Sequence, residues 1–403
     1  MIGMKKVLVT QSSYYGSIAA IRALGRAGFE VIAADSSLLS PGLYSRYVSK
    51  RLRSPDPRNM ETFKDWLLYL GRNYPGMIVY PTSDDVCWVL ARYKQELSEN
   101  LVIEISDLPT IYTLLNKERL QAALATLGLP QAETFASVED VKNEDFPVML
   151  KPKSQMGFLS KNKGCVCKDH KQLRRKFAEY SNEQNFHVDL TAYDPEINIP
   201  LIQKFYTSAA THMLSVGGYY SRGHIHCLFS KKIFQRPRNL GVGIAFEQVG
   251  AIDEIQGQLV ALIQSVGFDG VFEAEFIQSN ETWLLVDFNP RYYGQMQFEI
   301  SRGLNSPVRV IADSVNNSVY GQNKVKYFAN SWILRLLLYC QGFAGRISKA
   351  EKSKWIEWLM QNGVVDIVFD KEDMMPAFFD YFSQIGGGLR HPRDFYRKFF
   401  TDA

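Results

Sequence analysis

At 403 residues the chain is longer than one ordinary core fills, which predicts two or three domains. An apolar content of 46% with 22% charged residues is that of a soluble globular protein, and no stretch approaches the ~20 uninterrupted apolar residues of a membrane span. The net charge of +4 is small and dispersed, which argues against a nucleic-acid partner and leaves room for phosphate-bearing ligands.

The opening MIGMKKVLVT runs straight into a strand and lacks the apolar core of a signal peptide, so a cytoplasmic location is expected. Val7–Thr10 reads as a buried strand, Ser17–Ala27 as a helix closed by Gly28, and Val31–Asp35 as a second strand. A helix from Met60 to Arg72 and a strand from Met77 to Tyr80 continue the alternation, which specifies a parallel sheet with crossover helices. The turn after the first strand, Gln11 to Gly16, lacks the GxGxxG spacing, which disfavours a nicotinamide-dependent enzyme. Pro81-Thr82-Ser83-Asp84-Asp85 follows the Met77 strand. It reads equally as a ligand edge at the carboxyl end of the sheet and as an N-cap for a helix from Val86 to Tyr93.

Beyond Thr110 a helix is expected from Thr113 to Leu127, ending at Gly128. Pro147–Pro152 is a strand that ends in Lys151, followed by a polar loop from Lys153 to Gly164. Ile199–Phe205 is an apolar strand, and Met213–Tyr220 and Ile225–Phe234 form an antiparallel pair around Arg222-Gly223. A helix from Asp253 to Val266 precedes the stretch FEAEFIQSNETWLLVDFNPR, Phe272 to Arg291. The last ~75 residues read as mainly helical, with helices at Asn330–Gln341 and Lys349–Asn362 and a short strand at Val364–Val368. Gly386-Gly387-Gly388 would separate off a basic aromatic tail. The five cysteines form no CxxC pair. Cys165 and Cys167 would share one face of a strand, and all five read as reduced thiols.

The chemistry concentrates in Phe272–Arg291. Residues two apart on a strand share a face, so Glu273 and Glu275 project together, as do Asp287 and Asn289. If the two strands pair around a turn at Ser279-Asn280-Glu281, Glu275 and Asp287 meet. Two carboxylates, the amide of Asn289 and Arg291 form a hard-oxygen cluster suited to Mg2+ carrying phosphate, with Mn2+ as the substitute ion. The bland reading is a hairpin with a solvated polar face. The same choice stands for Arg222, His224, Lys231, Lys232, Arg236 and Arg238, which are either a solvated hairpin face or a substrate-binding set around Arg236–Gly241. His212 and His226, among apolar neighbours, read as structural.

In this order the elements resemble the ATP-grasp superfamily of carboxylate–amine ligases, in particular its broad, poorly assigned carboligases, over roughly residues 5 to 315. The resemblance implies a parallel α/β domain at 1–107, a first ATP-grasp lobe with a mobile phosphate lid at 108–198, and a second lobe with the metal hairpin at 199–325. A mainly helical extension would occupy 326–403. It further implies that Lys117 and Lys151 contact ATP phosphates, with Ser154 and Gly157 in the lid that closes over them. Gln203, Lys204 and Phe205 would form the linker that clamps adenine, with Gln203 standing where the family often has Glu. Glu275, Asp287 and Asn289 match its Mg2+ ligands, with Asp287 where Glu is more usual. Arg291 matches the arginine beside the transferred phosphate, while Glu273 lies outside the motif as a stabiliser of the sheet edge. Arg291 and Lys151 would thus be the catalytic pair.

The activity implied is activation of a carboxylate as an acyl phosphate, followed by C–N bond formation with an amine and release of ADP and phosphate. No nucleophilic side chain is needed, in keeping with the absence of Gly-x-Ser-x-Gly or Cys–His signatures. The alternative is a nucleotide sensor that keeps the fold without turnover. Partners would be small-molecule carboxylates and amines, with a homodimer as the default assembly.

Overall fold

The computed structural model describes residues 5–160, 164–210, 212–236, 241–311, 325–361 and 363–400. Its first sheet is fully parallel and contains β1 (Lys6–Val9), β2 (Glu30–Asp35), β3 (Val48–Arg53), β4 (Met77–Val79) and β5 (Leu101–Ile103), ordered β3-β2-β1-β4-β5. β1, β2 and β4 are apolar and almost wholly buried, as a sheet covered on both faces requires. The alternation of strands and helices foretold this sheet. β3 escaped it because its Ser, Lys and Arg residues are mostly exposed. Strand order runs one way from β1 through β2 to β3 and the other way through β4 to β5. The carboxyl ends of β1 and β4 therefore flank a topological switch point, the usual ligand crevice of open α/β sheets. Here the two loops meet directly, with Thr10 Oγ1 2.7 Å from Thr82 Oγ1.

A four-stranded antiparallel sheet follows, ordered β6-β9-β7-β8 and built from β6 (Thr134–Phe135), β7 (Val148–Lys151), β8 (Cys165–Cys167) and β9 (Leu201–Lys204). The third sheet has seven strands, β10 (Met213–Ser221), β11 (His224–Arg236), β12 (Val242–Val249), β13 (Gly270–Ser279), β14 (Thr282–Asn289), β15 (Tyr327–Ala329) and β16 (Val364–Asp366). Their order is β14-β13-β10-β11-β12-β15-β16. The chain thus has the α/β and α+β composition that the resemblance implied, with a mainly helical end.

The apolar face of the third sheet packs towards the first domain through one continuous core. Phe272 and Phe288, fully buried and stacked at 5.4 Å, share that core with Leu8, Phe63 and Trp88. Burying a side chain of this size contributes about 2–3 kcal/mol, so the hairpin is anchored through one face while its other face is left for polar chemistry.

Two expectations are corrected. The single helix at 113–127 is two helices, Leu108–Leu115 and Lys117–Thr126, broken at Asn116. The Asn116 side chain accepts from the N–H groups of Glu118 and Arg119, which starts a new helix and places Lys117 at its first position. The glycine run 386–388 lies inside the helix Met375–Arg390 and does not separate a tail. A Cβ on Gly388 would stand 2.9 Å from the Phe395 ring, so the glycine allows the following helix to pack closely. Among the described residues no helix is long and apolar enough to cross a membrane.

Candidate functional site

The hairpin turns at Asn280-Glu281, one residue tighter than expected, with Asn280 in the left-handed region (φ 55°). Continued without interruption, that register would set Glu275 opposite Val286 and turn Asp287 to the apolar face. A β-bulge prevents this. Phe276 pairs with Leu285, but Glu275 pairs with Asp287, so Val286 is the extra residue. Beyond the bulge Glu273 pairs with Asn289, and all four polar side chains lie on one face.

Each carboxylate faces a buried lysine. Asp287 accepts from Lys117 Nζ at 2.6 Å, and Glu275 from Lys232 Nζ at 2.9 Å. Burial opposes the charge on Asp287, yet Lys117, Lys151 and Arg291 outweigh it and hold the carboxyl below its usual range. Lys117 is likewise penalised by burial but is kept above its usual value by Asp287, Asp84 and Glu275. Lys151 donates to Gln203 Oε1 at 2.8 Å and has no carboxylate bound to it. Burial and the neighbouring charge of Lys117 lower its pKa to about 7, against the pull of Asp287 and Glu275.

Glu273 is buried, and its strand is interior between β10 and β14, so it does not stabilise a sheet edge as expected. Its Oε1 accepts from Ser215 at 2.7 Å and from the Gln295 amide, while its Oε2 receives Asn289 Nδ2 at 3.2 Å. That last bond turns the Asn289 oxygen towards Arg291 Nη2, 2.9 Å away. Arg291 also donates from Nε to Asp84 at 2.5 Å and from Nη1 to Tyr14 at 3.2 Å. Its guanidinium is therefore fixed between the hairpin and both loops of the switch point. For Pro81–Asp85 the N-cap reading is seen in Ser83, which caps the helix Asp84–Arg92, and the same segment brings Asp84 to Arg291.

Arg291, Asp84 and Tyr14 border a cavity of about 820 Å3, with Gln11, Asp85 and, from the loop after β7, Gln155 and Phe158 among the rest of its wall. That loop is tied to the first sheet's switch-point region where Gly157 N–H donates to Asp85 Oδ1 at 2.7 Å.

The structure therefore brings Lys117, Lys151, Gln203, Glu275, Asp287, Asn289 and Arg291 together. Other expected residues lie elsewhere or are otherwise engaged. Ser154 is buried and accepts from Met156 N–H, and Gly157 spends its N–H on Asp85. Lys204 points to the opposite side of β9 and pairs with Glu133 at the surface, and Phe205 follows that strand's end. Of the basic hairpin set, Lys232 is not on a solvated face but buried against Glu275. Arg236 is half-buried, within electrostatic reach of Tyr15 and Asp380, and Arg238 falls outside the described residues. His226 stacks on Tyr219 at 4.8 Å, a packing role. Cys165 and Cys167 do share a face, with sulfurs 3.9 Å apart, and all five cysteines are free thiols. Tyr14 was given no role by the sequence reading, while Lys232 and Asp84 were named there but not as the partners of Glu275 and Arg291. The signal for Tyr14 was a phenol in the switch-point loop.

No protein-family model and no curated protein matches the sequence. Solved structures do, and the chain has the ATP-grasp fold. It is similar to the biotin carboxylase domain dimer of the Hydrogenobacter thermophilus 2-oxoglutarate carboxylase, solved with MgADP, ADP and bicarbonate. There the TM-score is 0.61 at 14% identity, over 80% of this chain and 73% of that one. Biotin carboxylase from Campylobacter jejuni, in a beta-gamma-ATP complex, gives 0.59 at 14% over 76% and 70% of the two chains. An L-amino acid ligase from Bacillus licheniformis gives 0.55 at 14% over 76% and 73%. At this identity the likeness establishes the fold, and the activity has to be argued from the site.

Proposed function

We propose that this protein is an ATP- and Mg2+-dependent ligase that activates a carboxylate as an acyl phosphate and joins it to an amine. The observation that carries the reading is the bulge-enforced opposition of Glu275 and Asp287, ringed by Lys117, Lys151 and Arg291. The donor set fits Mg2+ better than a metal held by protein alone. Among the described residues no three His, Cys, Asp or Glu side chains gather into a cage. Mg2+ typically takes one or two carboxylates and leaves its other positions to phosphate and water.

Glu275, Asp287 and the Asn289 oxygen would hold the ion, and Lys117 and Lys151 the phosphates. Bound MgATP supplies the phosphoryl group that turns a carboxylate oxygen into a leaving group. The chain's contribution is positioning and charge. Lys117 favours the ionised form of Asp287, Lys232 holds Glu275 in place, and Gln203 orients Lys151. Arg291, held on three sides, presents a fixed positive charge between the hairpin and the cavity. The lid, latched to Asp85, limits the access of water, which would hydrolyse an acyl phosphate. The neighbours that are ligases and carboxylases in the same fold support the class of reaction.

The test is ATP-dependent phosphate release on pooled carboxylates and amines, with mass spectrometry of the product. A condensed product is expected from the wild type, and Asp287→Ala is expected to abolish ADP formation while melting as a folded protein. Full ADP formation by that variant would overturn the assignment.

A further inference from the structure

We propose that the cavity between the switch-point loops and the lid is the acceptor site, and that it takes the amine as an ammonium anchored by Asp85 and Gln11. This inference rests on the ligase reading, because it names the class of one substrate.

Arg291 borders the cavity, whereas Lys117, Lys151, Glu275 and Asp287 do not. The cavity therefore lies beside the carboxylate–lysine cluster and is a separate compartment sharing one arginine with it. The hydroxyls and the Gln155 amide in its wall can donate or accept, so the bias of the wall lies in its charges. Both guanidinium groups in the wall are already matched, Arg58 by Asp56 at 2.6 Å and Arg291 by Asp84 at 2.5 Å. Two acceptors have capacity to spare. Asp85 receives a single backbone N–H, from Gly157, and the Gln11 side-chain oxygen is buried without a partner. Gln11 also holds a left-handed backbone (φ 46°), unusual for a residue with a side chain and the kind of strain that collects at ligand sites.

A ligand that satisfies this wall must donate hydrogen bonds and carry positive charge. A primary ammonium does both, whereas an anion would meet the Asp85 carboxylate with both guanidinium groups of the wall already paired. Burial, with the charges of Asp84 and Asp56, pushes the Asp85 carboxyl up to about 6 despite the Gly157 N–H and the charge of Arg58, so a further cation there relieves a penalty that Arg58 leaves in place. Because the same carboxylate latches the lid through Gly157, amine binding and lid closure share one residue.

The probes are ethanolamine, its neutral counterpart ethylene glycol and its anionic counterpart glycolate. They are titrated calorimetrically into the full chain, alone and with Mg2+ and a non-hydrolysable ATP analogue. Ethanolamine should bind at least about tenfold more tightly than either counterpart, the value of one charge-assisted hydrogen bond. Asp85→Asn keeps an acceptor for Gly157 and should remove that preference, while Gln11→Ala should weaken ethanolamine by about threefold. Gln11→Ala should keep the wild-type affinity for the analogue. Glycolate binding more tightly than ethanolamine would overturn the inference, as would undiminished ethanolamine binding by both variants. Failure of the analogue to bind the wild type counts against the ligase reading instead, and the titration without it still decides the chemistry of the cavity.

Discussion

Lys151 sits in a buried position where its charge is costly, and phosphate is the partner that would remove the cost. With its pKa lowered to about 7 by burial and by Lys117, it is largely neutral above neutrality in the free protein. Phosphate oxygens favour the charged form and raise the pKa again, so ATP binding at about pH 8 should take up close to one proton, and at about pH 6 almost none. Calorimetry in two buffers of different ionisation enthalpy measures this directly. Lys151→Met should bind ATP at least about tenfold more weakly and lose the uptake, whereas equal uptake by wild type and variant would show that another group titrates. At this scale the site was legible unevenly. Lys151 and Lys117 stand at element ends, where a strand and a helix open onto the site, and such positions show in a linear pattern. Lys232 lies within a long strand whose register shifts next to it, so the side facing Glu275 could not be read beforehand.

The hairpin shows how one residue of backbone decides what a set of side chains can do. Its strands, its apolar face and its grouping of acids were readable from alternation alone. The bulge at Val286 was not, because the extra residue is an ordinary valine in an apolar run, and only the pairing reveals that it has no opposite partner. The glycine run at 386–388 misled in the other direction. Each helical glycine costs about 1 kcal/mol relative to alanine, and here the close packing of Phe395 on Gly388 favours keeping it. The break at Asn116 has a testable energy. Its side chain satisfies two N–H groups from a fully buried position, so Asn116→Ala should cost about 2 kcal/mol, the upper part of the range for a cap. It should also weaken ATP binding by releasing Lys117. Urea denaturation measures the first effect, and a loss below about 0.5 kcal/mol would mean that the helix does not depend on the cap.

For the whole molecule, the parallel sheet followed by antiparallel sheets was predictable because buried strands and crossover helices have different periodicities. Less predictable was how the parts close on one another. The late strands β15 and β16 extend the sheet that carries the hairpin. The C-terminal segment also locks onto the first domain through Arg22 and Asp373, a buried pair 2.9 Å apart with both side chains 1% exposed. The Arg22–Asp373 pair joins residues 351 positions apart, and β12 meets β15 across the chain from Ala245 to Ala329, so no local pattern encodes either contact. Arg291 lies between the hairpin and the switch-point cavity, bonded to Asn289 on one side and Asp84 on the other. The central claim, that the opposed carboxylates hold the metal of a nucleotide, is tested most directly by measuring ATP affinity with and without Mg2+ in the wild type and in Asp287→Asn. The wild type should gain at least about tenfold in affinity from Mg2+, and the variant should lose that gain while still binding metal-free ATP. An equal Mg2+ gain in both proteins would contradict the account.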